Sequence, residues 1–337
     1  MRICAGCFKA EDWKNRFKLE PKRICSCSFC GKKTKTIDFS VFLYPLQILL
    51  SLFSKNEKGE SVIQLIGRDF AIFTNDEIAK KILQCVVQLS GNSFSLKDKV
   101  SYSSEVSSAL IAWKKMKKGV IEDFRYFPSI NPEDELWDKY FASKFAVIKK
   151  GSVFFRGRIN EDANKLYKKK KELGMPPREK TRAGRVNPYG IPCLYLTDMA
   201  DTTIYELRAT HGDKLSVGKF VVKENLNIVD FNYKPLLLDD IYEGEEKLFE
   251  TVREFLLKRQ IGRDLSKPVH RYDIKEIEYV PTQYICEYIK TSGADGVMFN
   301  SAVHHGGKNL VLFKSDKVRC TGVEVKTVDE PVMRFCQ

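Results

Sequence analysis

Between Arg182 and Glu206 the chain carries a guanidinium at Arg185, a phenol at Tyr195 and a carboxylate at Glu206. A guanidinium pairs with phosphate, an aromatic ring stacks on another ring, and a carboxylate accepts from sugar hydroxyls. Together they suggest a nucleotide rather than a metabolite without phosphate. The elements that must position them are legible in the same stretch. It opens as a loop rich in Gly, Pro and Asn, becomes a short apolar run from Cys193 to Leu196, and then reads as a helix opening at Asp198 or Asp201. Upstream, Arg156 sits inside Val153–Ile159, a run with the apolar density of a buried strand. A buried guanidinium is costly unless an anion pairs with it, so Arg156 reads as a binder of phosphate or carboxylate. The structural alternative is a salt bridge to Glu206 or another acid.

Two further runs, Ala294–Phe299 leading to Asn300 and Ser301, and Asn309–Phe313, flank a Gly-rich turn that holds His304 and His305. No base is identifiable beside Ser301, so it is not assigned as a covalent nucleophile. His304 and His305 read as solvated loop residues.

The second chemical cluster lies at the N-terminus. Cys4-Ala-Gly-Cys7 is followed after nineteen residues by Cys27-Ser-Phe-Cys30. Paired CxxC turns at this separation suit tetrahedral zinc, each turn directing two thiolates at one ion. The expected ligands are Cys4, Cys7, Cys27 and Cys30, with Cys25 either a spare or a substitute for Cys27. Four thiolates leave no open position for water, so the site reads as structural.

The chain has 337 residues, 43% hydrophobic and 30% charged, as in a globular protein of two or three compact units. No stretch reaches the roughly 20 apolar residues that span a bilayer, and the N-terminus lacks the apolar core of a signal peptide, so the expected location is cytoplasmic with no membrane partner. Ten cysteines, unevenly placed, do not make a secreted disulfide scaffold. The net charge of +13 favours anionic partners, nucleotide or nucleic acid, although much of the excess sits in lysine runs such as Lys168–Lys171 that read as solvated faces.

Helical spacing predicts helices over Phe39–Leu52, from an N-cap at Asn75 to about Leu89, over Val100–Lys118 and over Asp134–Ala146, with Ser61–Phe73 open between strands and a short helix. Residues 39–150 contain no histidine, which excludes an Arg–His helical ribonuclease site there. Residues 160–180 form a polar, lysine-rich connection. Beyond Glu206 come strands at Lys214–Val222 and Leu226–Asp230, a helix at about Glu245–Arg259, a polar stretch Ser266–Tyr272, and a helix from Pro281 ended by Gly293. Strands and helices that mix without strict alternation indicate an α+β fold. The expected division is a zinc knuckle at 1–38, a mainly helical domain at 39–150, a mixed-sheet domain at 151–320 and a tail at 321–337.

With these segments in order, the second half resembles the RES domain family. The residues that carry the resemblance are Phe155-Arg156, the loop Gly184-Arg185-x-Asn187-Pro188-x-Gly190-x-Pro192, Leu194-Tyr195-Leu196, the helix bearing Glu206, Asp295-Gly296 with Ser301, and Asn309–Phe313. The first half is similar to the zinc-knuckle and HEPN-like helical region found ahead of some RES domains. The resemblance implies a fold related to ADP-ribosyltransferases and an enzyme that degrades NAD by breaking the nicotinamide–ribose bond. The resemblance thus implies an NAD glycohydrolase or NAD phosphorylase acting as a toxin or defence effector, with an antitoxin, an inhibitor or a trigger protein as its partner.

On this reading Arg156, Tyr195, Glu206 and Ser301 are catalytic, and Arg185, Asn187 and Asn300 bind the dinucleotide. The alternatives are an ADP-ribosyltransferase that modifies a macromolecule, and a zinc-containing nucleic-acid-binding module whose second half only senses nucleotide. Two departures stand out: Val186 replaces a residue that is often aromatic in the family, and the segment Asn232–Pro281 is longer than a minimal toxin needs.

Overall fold

A computed structural model of the protein describes residues 1–90, 95–126, 133–142, 145–160, 166–232, 237–267 and 274–329. Most of the polar stretch expected at Ser266–Tyr272 and the end of the expected tail lie outside these residues. The chain divides into two compact units, Met1–Ile111 with Lys234–Leu256, and Ala112–Tyr233 with Leu257–Gln337.

In the first unit, β1 (Arg2–Cys4), β2 (Arg23–Ser26) and β3 (Lys33–Asp38) make an antiparallel sheet in the order β1-β3-β2. The short helix α1 (Glu11–Asn15) brings Trp13 onto Phe8 and Phe42. Helix α2 (Ser40–Ser51) contains Pro45, which cannot donate to the carbonyl of Val41. Tyr242 Oη reaches that carbonyl instead, at 3.4 Å. The ambiguous segment after Ser61 resolves into α3 (Val62–Asp69) through a capping box: Ser61 Oγ accepts from the Gln64 N–H while Gln64 accepts from the Ser61 N–H. Asn75 Oδ1 accepts from Ile78 N at 2.9 Å and starts α4 (Asp76–Ser90).

The single helix expected over Val100–Lys118 is instead a strand and a helix. β5 (Lys99–Tyr102) pairs with β4 (Phe53–Ser61), and α5 (Ser104–Lys118) begins after Ser103, whose Oγ accepts from Val106 N. The alternating Lys-Val-Ser-Tyr run satisfies a strand as well as a helix, and β4 supplies the partner that decides it.

One apolar cluster joins Cys4, Cys7, Phe8, Phe29, Phe39 and the α2–α4 side chains to Leu237, Leu238, Ile241, Leu248, Val252 and Phe255. The last group belongs to α8 (Leu237–Glu243) and the beginning of α9 (Glu245–Ser266). Part of the extra length after Asn232 is thus core of the first unit.

The second unit contains α6 (Glu133–Phe141), α7 (Thr202–Glu206), α10 (Lys275–Glu278) and α11 (Val280–Thr291). Its strands are β6 (Ala146–Ile148), β7 (Val153–Ile159), β8 (Leu194–Thr197), β9 (Lys214–Val222), β10 (Leu226–Asp230), β11 (Gly296–Asn300), β12 (Lys308–Leu312) and β13 (Val318–Thr327). They form an eight-stranded mixed sheet in the order β13-β9-β7-β8-β12-β11-β10-β6. Only β10 and β11 are parallel neighbours. β7 and β8 meet at one register pair, Phe155 with Thr197, so the sheet parts beyond it.

Residues 321–327, expected in the tail, belong to β13, which pairs with β9 along its length. A β-bulge shifts the register of this pairing between Cys320 and Gly322. Among the described residues no helix is long and apolar enough to cross a membrane.

Candidate functional site

A cavity of about 470 Å³ opens where β7 and β8 diverge, and its lining includes Arg156, Arg185, Tyr195 and Glu206. Four of the seven candidate residues in this unit therefore share one cleft. Gly157 lets α7 pack directly on β7: a Cβ there would lie 2.7 Å from Leu207 Cδ1 and 2.9 Å from Thr203 Cβ. That close approach brings Glu206, one residue before Leu207, into the cleft lined by Arg156.

Arg156 is the unusual group. Its Nη1 is buried and has no hydrogen-bond partner among the described residues. The salt bridge to Glu206 considered from sequence is not formed. Burial, followed by the charge of Arg158, brings the Arg156 guanidinium down to about 10, opposed by Tyr195. Arg158, by contrast, is engaged: Nη1 donates to the Glu172 carbonyl at 2.9 Å and the guanidinium lies over the Tyr167 ring. An unsatisfied buried donor is destabilising by about 1–3 kcal/mol, and an anion in the cleft would remove that penalty.

Arg156→Met should therefore raise the melting temperature of the ligand-free protein, because the replacement fills similar space without a charge to desolvate. The same variant should bind ADP-ribose about 10- to 100-fold more weakly, the loss expected for charge-assisted hydrogen bonds. Thermal melts and calorimetry measure the two effects. A lower melting temperature with unchanged affinity would make Arg156 structural.

Tyr195 is fixed by its hydroxyl, which donates to Asn187 Oδ1 at 2.7 Å and accepts from Val186 N at 3.3 Å. Burial pushes the phenol well above its ordinary range, so it stays neutral. Gly184 makes room for it, since a Cβ at that position would collide with the Tyr195 hydroxyl. Asn187 does not line the cleft. It is buried, and its Nδ2 donates to the carbonyls of Arg182, Pro188 and Ile191, which makes it the internal brace of the loop. From α11, Thr282 Oγ1 donates to the Arg185 carbonyl at 2.7 Å, and Gln283 Nε2 donates to the carbonyls of Gly184 and Asn187. The Arg185 guanidinium lies 5.3 Å from the centre of the Tyr279 ring, which also lines the cleft.

Glu206 is exposed, and Oε1 accepts two hydrogen bonds at 2.7 Å, from Ser301 Oγ and from Asn309 Nδ2. Ser301 Oγ in turn accepts from the N–H groups of Val303 and His304. The carboxylate beside Ser301 was not legible from sequence, because Glu206 lies far away in the chain. With its proton on Glu206 and its lone pairs occupied, Ser301 positions the carboxylate. Asn300 is exposed and outside the cleft lining. His304 is half-buried rather than solvated, stacked on Tyr205 with Nδ1 bonded to Thr202 Oγ1 at 2.8 Å.

Sequence reasoning passed over Asn309 as a site residue, although a polar side chain heading an apolar strand was the available signal. Ser301→Ala and Asn309→Ala should each lower turnover about tenfold with little change in KM, as expected for loss of one orienting hydrogen bond. Ser301→Thr should retain most of the rate. Steady-state kinetics on the three variants decide this, and a loss confined to KM would refute the positioning role.

In the first unit the sulfurs of Cys4, Cys7, Cys27 and Cys30 lie within 4.8 Å of one another. The recorded contacts are 3.8 Å for Cys4–Cys7 and 3.5 Å for both Cys4–Cys30 and Cys7–Cys27. A tetrahedron with Zn–S bonds of about 2.3 Å has sulfur–sulfur edges of roughly 3.8 Å, so the cluster fits zinc in spacing and donor type. Cys25 is elsewhere, bonded to Thr36 Oγ1 at 3.0 Å.

The RES domain family model matches residues 158–334, from inside β7 to beyond β13. The chain belongs to the RES domain family. Arg156 and Gly157 stand just ahead of the matched RES domain segment, and Arg185, Tyr195, Glu206, Tyr279 and Asn309 fall within it. A solved structure that resembles the chain is the M. tuberculosis MbcT–MbcA toxin–antitoxin complex. It is 14% identical over 54% of this chain and 87% of that one, with a TM-score of 0.30. No curated protein matches.

Proposed function

We propose that the RES domain of this protein binds NAD in the β7–β8 cleft and cleaves the nicotinamide–ribose bond, with water or phosphate as acceptor. The observation that carries this reading is the buried Arg156 Nη1, without a hydrogen-bond partner among the described residues, in the same cleft as a carboxylate held by two donors. Cleavage at the anomeric carbon builds positive charge on the ribose. A carboxylate locked in place stabilises that charge without reorganising. Arg156 holds the pyrophosphate, Arg185 adds a further cation for the phosphates of the ligand, Tyr195 borders the nicotinamide, and Glu206 faces the ribose. Ser301 and Asn309 keep Glu206 in position, and Asn187 acts through the loop rather than on the ligand.

The test is release of nicotinamide from NAD by purified protein, with and without phosphate, comparing wild type with Glu206→Gln. NAD labelled in its adenosine part separates this activity from ADP-ribosyl transfer. Label recovered on a small product supports cleavage, and label on a macromolecule supports transfer. Folded protein that gives neither under several candidate triggers overturns the reading.

Uncontrolled NAD cleavage harms the cell that makes the enzyme. The zinc knuckle and helical region are accordingly assigned to recognition of a trigger, inhibitor or antitoxin. The four-cysteine cluster is assigned to structural zinc, on its donor set and spacing.

A further inference from the structure

Arg208 also lines the cleft. It adopts left-handed backbone at φ 51°, just after Leu207, the C-cap of α7. Arg208 N donates to the Tyr205 carbonyl and Ala209 N to the Ile204 carbonyl, each at 3.0 Å. This helix ending favours glycine, which takes the left-handed conformation without steric cost. The side chain retained at that cost is exposed and makes no hydrogen bond or ion pair among the described residues.

Arg185 lines the same cleft, and its guanidinium lies 5.3 Å from the centre of the Tyr279 ring, with no ion pair to a carboxylate among the described residues. Burial lowers the affinity of Arg185 for its proton, Tyr279 and Glu206 oppose this, and the charge of Arg208 adds to the lowering. Arg156 is perturbed by Arg158 and Tyr195 rather than by Arg208. The cleft lining therefore includes Arg156, Arg185 and Arg208 against one carboxylate among the described residues, Glu206.

We propose that Arg185 and Arg208 form a second phosphate-binding locus that takes a phosphate dianion, apart from the pyrophosphate held at Arg156. Resting on the dinucleotide reading of the cleft, this locus accepts either the monoester phosphate of a 2′-phosphorylated dinucleotide or free inorganic phosphate. The chemistry is the same for both sources. Each phosphate of a pyrophosphate diester carries one charge, whereas a monoester or free phosphate approaches two near neutral pH and matches a pair of guanidinium groups.

Calorimetry on the full chain with ADP-ribose, 2′-phospho-ADP-ribose and inorganic phosphate tests this, using wild type, Arg208→Gly and Arg208→Lys. If the source is a monoester, Arg208→Gly weakens 2′-phospho-ADP-ribose at least tenfold and ADP-ribose less than threefold. If the source is free phosphate, wild type binds the two nucleotides alike. Phosphate then binds saturably to the ADP-ribose complex, and Arg208→Gly abolishes that binding. Arg208→Lys falls between wild type and Arg208→Gly in either case.

Arg208→Gly should melt no lower than wild type, since glycine relieves the backbone, and this separates lost affinity from misfolding. Equal weakening of both nucleotides would assign Arg208 to the pyrophosphate clamp and overturn the proposal, as would no change for any ligand. If wild type binds neither nucleotide, the dinucleotide reading fails. Saturable phosphate binding that depends on Arg208 would still uphold the locus.

Discussion

Glu206→Gln is expected to lower nicotinamide release from NAD by about 10²–10³-fold, the range found when one preorganised electrostatic group is removed from a reacting centre. The amide is nearly isosteric, and its oxygen can still accept from Ser301 Oγ and Asn309 Nδ2, which now meet on Oε1. The substitution therefore removes charge while leaving the geometry in place. Glu206 is exposed in the empty cleft, where water screens its field. A bound dinucleotide excludes that water, so the carboxylate matters most when charge develops on the ribose. ADP-ribose, which lacks the nicotinamide bond, should bind the variant within about threefold of wild type, and its melting temperature should hardly move, as is usual for an exposed position. Nicotinamide quantified under single-turnover conditions makes the comparison. A variant retaining a third or more of the wild-type rate would remove Glu206 from the chemistry.

The sequence revealed those parts of the site that local chemistry dictates. Arg156 could be singled out because a guanidinium inside an apolar strand demands an explanation. The structure leaves its Nη1 without a partner among the described residues. The loop, strand and helix from Arg182 to Glu206 were legible from glycine, proline and apolar patterning, and β8 and α7 stand there. What escaped was set by tertiary contacts. Asn187 looked like a ligand group because an asparagine in a Gly-Pro loop offers both a donor and an acceptor. The loop itself consumes both, through Tyr195 and three carbonyls. Asn309 and Ser301 become partners of Glu206 only when β12 and the turn after β11 meet α7, a convergence across about a hundred residues that no local pattern encodes. The helix expected across Val100 became β5 because β4 offers it a pairing edge. The extra length after Asn232 is shared between two tasks: Leu237–Phe255 contributes to the apolar core of the first unit, while Leu265, Ser266 and Tyr279 line the cleft.

Removing the metal should have the largest effect on folding. A structural zinc site contributes about 10–16 kcal/mol of apparent binding energy near neutral pH, which is comparable with the roughly 5–15 kcal/mol by which a typical domain is stable. Cys4, Cys7 and Cys27 are buried, and burial pushes the Cys7 thiol far up and the Cys4 thiol to about 11. Without a cation Cys4 and Cys7 are neutral thiols crowded against the other two sulfurs, and a divalent ion converts them to thiolates as it binds. The consequence extends past the knuckle. Phe8, Phe29, Cys4, Cys7 and Cys27 belong to the same apolar cluster as α2 and α4, and Thr74 N donates to the Cys7 carbonyl while Lys9 N donates to that of Ile72.

A strong chelator, or Cys4→Ser, should therefore abolish the cooperative melting of the whole first unit rather than loosen its first forty residues alone. Cys25→Ser should melt like wild type, because Cys25 bonds Thr36 outside the cluster. Metal analysis should find a single zinc ion per chain in wild type and none in Cys4→Ser. Metal-free protein with an unchanged melting transition would show instead that the four thiols pack without an ion. The aromatic cluster of Phe8, Trp13 and Phe42 would then carry the stability assigned to zinc.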